Sequence, residues 1–137
     1  MNILVVDDDD ACCQLLRDLL AKEPDYTPIF SANGAEAWWL LSDPEQHFDL
    51  GIFDIKMPLV DGISLLKRIR GTPKLKALPV ILCTGVTERN TVQAAAQFAV
   101  QHYVVKPYSA TSMLEKIRAV AQSLLQPRQA GINLVMT

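Results

Sequence analysis

Short apolar runs alternate with amphipathic stretches along the whole chain, and the alternation predicts five βα units. Ile3-Leu4-Val5-Val6 is apolar at successive positions and β-branched, as strands buried on both faces are. It stops at four consecutive aspartates, Asp7 to Asp10. Beyond them Cys12, Leu15, Leu16, Leu19 and Leu20 recur at helical spacing and predict a helix that ends before Pro24. Tyr26 to Ala32 reads as a second strand, and Pro28 inside it cannot donate to a ladder, which places that strand at a sheet edge. Asn33-Gly34 turns the chain into a helix through Ala37, Trp38 and Leu41, ending near Ser42-Asp43-Pro44. A third strand spans Leu50 to Asp54, and Asp61-Gly62 opens a helix with Leu65, Leu66 and Ile69 on one face. Pro79 to Thr84 is a fourth strand, followed by an alanine-rich helix marked by Val92, Ala95, Ala96 and Ala99. Tyr103 to Lys106 closes the series, and Ser109 caps a last helix carrying Met113, Leu114, Ile117, Val120, Ala121 and Leu124.

Repeated βα units imply an α/β fold, a parallel sheet with helices on both faces. Composition agrees with one globular domain: 137 residues, 50% hydrophobic and 20% charged. With 13 basic against 15 acidic residues the net charge is −2, which supplies no general pull toward nucleic acid or an anionic membrane. No apolar run approaches the roughly 20 residues of a membrane span, and Met1 leads straight into a strand-like run without a secretion signal. A cytoplasmic location is expected. Cys12 and Cys13 are adjacent, Cys83 lies in an apolar run, no CxxC occurs, and His47 and His102 fit no ligand spacing, all of which argues against zinc or thiol chemistry.

In open parallel sheets the chemistry gathers beyond the carboxyl ends of the strands. There this chain carries Asp7 and Asp8 after strand one, Asp54 after strand three, Thr84 after strand four and Lys106 after strand five. Carboxylates gathered in one crevice repel: two unit charges 4 Å apart cost roughly 1 kcal/mol in water and about 4 at an effective dielectric of 20. Either their pKa values rise or a cation sits among them, and hard oxygen donors suit Mg2+, which bridges carboxylates to phosphate. A lysine and a threonine hydroxyl then fit phosphoryl oxygens. Without a glycine-rich loop the crevice would not cradle a nucleotide, so an aspartate carboxylate is the expected phosphoryl acceptor. The aspartate run leaves a one-residue slip open, which would name Asp9; Asp9 and Asp10 otherwise read as a solvated helix start. Trp38 is expected in the core, and Trp39, about 100° away, as partly packed under Pro44 or as a partner anchor.

Leu4-Val5-Val6-Asp7-Asp8, Asp54-Ile55-Lys56-Met57-Pro58 with Asp61-Gly62, Pro79-Val80-Ile81-Leu82-Cys83-Thr84-Gly85 and Tyr103-Val104-Val105-Lys106-Pro107 resemble, in order, the motifs of the receiver domain of two-component response regulators, chemotaxis regulators among them. The resemblance covers about residues 2–125. It implies a flavodoxin-like five-stranded sheet in strand order 2-1-3-4-5. It implies that Asp54 is phosphorylated from a phosphohistidine, with Asp8 binding Mg2+ directly, Asp7 largely through water, and the Lys56 carbonyl completing the protein ligands beside Asp54. Thr84 would bond the phosphoryl group and draw its loop inward, Lys106 would pair with the group, the Lys106–Pro107 bond would be cis, Tyr103 would be a second switch residue whose ring turns inward, and the small Gly85 after Thr84 would leave the phosphoryl site accessible. Lys56 and Val86 take the two variable positions that influence phosphoaspartate hydrolysis in that family. Asp10 stands where a proline or glutamate is usual, and Val100-Gln101-His102 replaces a common Gly-Ala pair.

The implied partners are a sensor histidine kinase or phosphotransfer protein, and a second copy through the fourth helix, fifth strand and fifth helix, with neither nucleic acid nor membrane touched by this domain. Such a protein catalyses only its own phosphorylation and dephosphorylation. Two competitors share the strand-end aspartate: a haloacid-dehalogenase-like phosphatase, which expects an acid where Lys56 stands, and a phosphate-independent binding module. The receiver domain is expected over residues 1–126. The remaining 127–137, with Pro127 breaking the helix and apolar Ile132 to Met136, would be a tail or the start of a linker.

Overall fold

A computed structural model describes residues 1–57, 60–85 and 89–125. Its elements alternate strictly. They are β1 (Asn2–Val6), α1 (Asp10–Ala21), β2 (Thr27–Ser31), α2 (Gly34–Ser42), β3 (Leu50–Asp54), α3 (Gly62–Arg70), β4 (Val80–Thr84), α4 (Arg89–Ala95), β5 (His102–Val105) and α5 (Ala110–Leu125). The five strands are parallel in the order β2-β1-β3-β4-β5. Pro28 lies on β2, at the sheet edge, where a missing amide donor leaves no ladder bond broken. The Pro58 of the motif that follows the third strand, Val86 and the segment 126–137 lie outside the described residues.

Alternate side chains of each strand feed opposite layers, which is why the inner strands read as continuous apolar runs. Leu4, Val6, Phe53, Leu82 and Val80 pack with Ala37, Leu41, Leu65, Leu66 and Ile69 from α2 and α3. Ile3, Val5, Leu50, Ile52, Ile81 and Cys83 pack with Leu16, Leu20, Met113, Ile117 and Val120 from α1 and α5. Helix starts follow local capping: Asp9 accepts from the amides of Ala11 and Cys12, Asn33 from Glu36, Asp61 from Ser64, and the Ser109 hydroxyl from Ser112.

Three expectations are corrected. The buried line of α1 is Cys13, Leu16 and Leu20, with Cys12, Leu15 and Leu19 only partly covered beside it. Paired leucines leave the phase of the stripe ambiguous by one residue, and packing under β1 decides it. The fourth helix stops at Ala95 and passes through a 3-10 turn, Ala96–Phe98, to Ala99 at φ 57, so Ala96 and Ala99 extend no helical face. Trp39 is 74% exposed and does not pack under Pro44, whereas Trp38 packs against the core and lies 5.8 Å from the Arg68 guanidinium.

Candidate functional site

The carboxyl ends of β1, β3, β4 and β5 bring the strand-end polar residues into one crevice. Asp7 and Asp54 are buried at 4% and 8% exposure, Thr84 is buried beside them, and Asp8 is exposed at the rim. Carboxylate oxygens of Asp7, Asp8 and Asp54 all lie within 4.8 Å of one another. Lys106 places Nζ 2.8 Å from Asp7 Oδ2 and 3.3 Å from Asp54 Oδ2, so one ammonium spans two acids. The Lys106–Pro107 bond is cis.

Local structure aims each group. Asp7 Oδ1 accepts the Asp9 amide at 2.9 Å, and its own amide donates to Ser31 O on β2, which locks this carboxylate at the end of the strand. Asp9 is occupied as the α1 cap and is not among the clustered acids, so the aspartate run divides into a buried acid, a rim acid, a cap and a first-turn residue. The amide of Ile55 donates to Cys83 O, and that of Lys106 to Thr84 O, which ties the three strand ends together. Gly62 donates its amide to Ile55 O at 2.9 Å. A Cβ at Gly62 would collide with the carbonyl of Asp54, so only glycine lets α3 start against the end of β3. The Thr84 hydroxyl donates to the Gly85 carbonyl at 3.0 Å.

Electrostatics follow from this crowding. Burial, and then the charge of Asp7, push the Asp54 carboxyl up to about 6 against the opposing pull of Lys106. Burial alone would lower the Lys106 ammonium, but its bond to Asp7 and the charges of Asp7 and Asp54 outweigh that and raise it. Beside the acids an open crevice of about 780 Å3 is lined by Asp8, Lys56, Met57, Asp61 and Ser64. Three convergent carboxylates with an open approach are a hard oxygen donor set, and they fit Mg2+ or a similar divalent ion.

Tyr103 is partly buried against the α2–α3 layer, and its hydroxyl has no hydrogen-bond partner among the described residues. Tyr108, which sequence reading passed over, is in the same condition on the α1–α5 layer. Nothing in the pattern of polar and apolar positions marks a tyrosine whose ring packs inward; only the fold brings that hydroxyl under cover.

The chain matches the response regulator receiver domain family over residues 3–118. It is 34% identical to the chemotaxis protein CheY-3 of Vibrio cholerae over 124 residues, 90% of this chain and 94% of that protein. It is 36% identical to the chemotaxis protein CheY of Pseudomonas aeruginosa, covering 88% of this chain and 95% of that one. A Dictyostelium discoideum 3',5'-cyclic-nucleotide phosphodiesterase, regA, is 33% identical over 94% of this chain, which spans only 16% of that protein. Among solved structures, the REC domain of the response regulator AraT from Geobacillus stearothermophilus superposes with a TM-score of 0.81 at 27% identity, covering 93% of this chain and 97% of that one. The receiver domain of a signal transduction histidine kinase from Syntrophus aciditrophicus gives 0.80 at 27% identity, covering 89% and 90%.

Proposed function

Because the chain belongs to the response regulator receiver domain family, we propose that it takes a phosphoryl group onto Asp54 from a phosphohistidine of a sensor kinase or phosphotransfer protein, and that the new group shifts it between two conformations. CheY-like receiver domains are signalling regulators and not classical enzymes. The observation that carries the reading is Asp54 itself: a nearly enclosed strand-end carboxylate facing Asp7, Asp8 and Lys106, next to the crevice that Asp8 and Lys56 line.

A carboxylate oxygen of Asp54 attacks phosphorus, the P–N bond of the donor breaks, and the imidazole leaves with the electron pair. Ionisation of Asp54 is required, and Lys106 favours it from 3.3 Å. After transfer Lys106 and the Thr84 hydroxyl are the residues to hold phosphoryl oxygens, which means Lys106 exchanges its contact with Asp54 for one with the new group. Asp7, Asp8, Asp54 and the Lys56 carbonyl would hold Mg2+. When bound, the ion offsets the repulsion between the acids and the incoming phosphoryl group. A few kcal/mol of differential contact at Thr84 and Lys106 is enough to move a two-state equilibrium. Tyr103, whose hydroxyl has no hydrogen-bond partner among the described residues, is the side chain to change place with the switch. The receiver unit is read as residues 1–126, with 127–137 a tail or linker. A second copy would pair through α4, β5 and α5, where Val105 is half exposed.

The test is intact mass after incubation with Mg2+ and acetyl phosphate. One phosphate should appear on the wild-type chain and none on Asp54→Asn. An unlabelled wild type beside a labelled control receiver would overturn the proposal.

A further inference from the structure

At the amino end of the sheet, two loops meet on one side chain. Arg70, the last residue of α3, directs its guanidinium into four backbone carbonyls: Nε to Phe98 at 2.6 Å, Nη1 to Leu78 at 2.7 Å and to Lys76 at 3.1 Å, and Nη2 to Ala99 at 2.9 Å. Only a planar fork of donors can serve both loops at once; a lysine ammonium in the same place reaches one of them. Leu78 and Lys76 lead into β4, and Phe98 and Ala99 lead out of α4. Ala99 is held at φ 57, a left-handed conformation that an alanine keeps only where its surroundings impose it. Two residues on, Gln101 donates its amide to Val80 O and accepts the Val80 amide on its side-chain oxygen. The path from the end of α4 into β5 is therefore bound down at three of four successive residues.

The helix that precedes this path is held very differently. Among the described side chains of α4, only Ala95 at its last position is buried, with Val92 partly covered. The neighbouring α3, of similar length, buries Gly62, Leu65, Leu66 and Ile69. An element with few buried apolar groups belongs to the low-stability part of a fold, and hinges fall at element termini that absorb the backbone change.

We infer that Arg70 makes α4 a hinged arm: it fixes the Phe98–Ala99 end, so that α4 responds to the switch by swinging its amino end about that point. The inference rests on the reading of Asp54 as phosphoacceptor, since the phosphoryl group is the event that drives the arm. A free α4–β5 junction would let the displacement run into β5 and be spent there. An anchored one confines it to α4 and keeps the amino end of β5, and with it the strand that carries Lys106, in register.

Hydrogen exchange read by mass spectrometry, with and without Mg2+ and acetyl phosphate, tests this, with intact mass taken on the same samples. In the wild type, phosphorylation should change exchange over residues 89–95 by about fivefold or more and over 98–102 by less than about twofold. In Arg70→Lys, residues 98–102 should exchange about tenfold faster at rest, and the phosphorylation response should spread into them. A merely structural arginine would raise resting exchange without changing where the response goes. Phosphate on the chain with equal responses in the two segments of the wild type overturns the hinge, and so does Arg70→Lys with its response still confined to 89–95. Should Arg70→Lys fail to fold, Arg70→Gln, whose single amide donor group also lacks the fork for both loops, takes its place under the same two outcomes. A wild type without added phosphate fails the phosphoacceptor reading first, and the hinge with it.

Discussion

At the carboxyl end of the sheet the carboxylates of Asp7, Asp8 and Asp54 crowd within 4.8 Å of one another, while at the amino end charged and polar side chains are spent on the backbone. There the side chain of Arg70 serves four carbonyls, that of Gln101 the amide of Val80, and that of Asp49 the amide of Asn2 at 2.7 Å. At the carboxyl end Lys106 contacts two acids, and these contacts are to side chains that can exchange partners. The difference teaches how one small domain stores work. Side chain to backbone bonds hold connections in place and leave nothing to release, whereas crowded like charges leave a site whose energy falls when a ligand arrives. The same chain therefore has an end bonded to its backbone and an end crowded with acids, about one strand length apart.

The comparison breaks most sharply at Lys106. Lys106→Ala leaves Asp7 and Asp54 buried without their cation and should lower stability at pH 7 by about 2–3 kcal/mol, reduced from the full cost of a broken buried pair because the ammonium is partly exposed. Urea unfolding without divalent ions measures it, and Mg2+ should recover more stability in this variant than in the wild type. Equal loss with and without Mg2+ would mean that the carboxylates are not the cause. At the other end Gln101→Ala orphans the Val80 amide and should cost about 1–2 kcal/mol, with no dependence on Mg2+. A Mg2+-dependent loss there would erase the distinction between the two ends.

Much of this contrast was legible in the residues before any coordinates. Strand-end Asp54, Thr84 and Lys106 follow short apolar runs that read as strands, and topology does the rest. The aspartate run was less clear, because neighbouring carboxylates are chemically identical in sequence. Asp7 becomes the buried one only because its amide pairs with Ser31 O and its oxygen with the Asp9 amide. Arg70 was not legible at all: it reads as one of several cations in the last turn of α3, a place the helix dipole already explains. Its partners at Phe98 and Ala99 are 28 and 29 residues away and are backbone atoms, which carry no side-chain signature. The fourth helix misled for a related reason, since alanines advertise helix without saying where it must end.

The two ends should also answer acid with opposite slopes. Asp54 has a folded pKa of about 6 against an ordinary 3.8, so between those values the folded chain holds a proton that the unfolded chain has lost. Stability from that group is present at low pH and is lost as pH rises through about 6. It is read as the difference in unfolding free energy between wild type and Asp54→Asn in the absence of divalent ions. His102, at the amino end of β5, is lowered from 6.5 by burial and then by the charge of Lys116. Here the unfolded chain binds the proton more readily, so the contribution is present above pH 6.5 and is lost as pH falls. The ring is partly exposed, and His102→Gln should leave stability at pH 7.5 unchanged and relieve no more than about 0.5 kcal/mol at pH 5. A His102→Gln variant that lost stability on acidification as steeply as the wild type would assign the acid slope elsewhere. A wild type whose Asp54-dependent slope ran the same way as that of His102 would mean that burial and the neighbouring Asp7 do not raise Asp54 as the geometry requires.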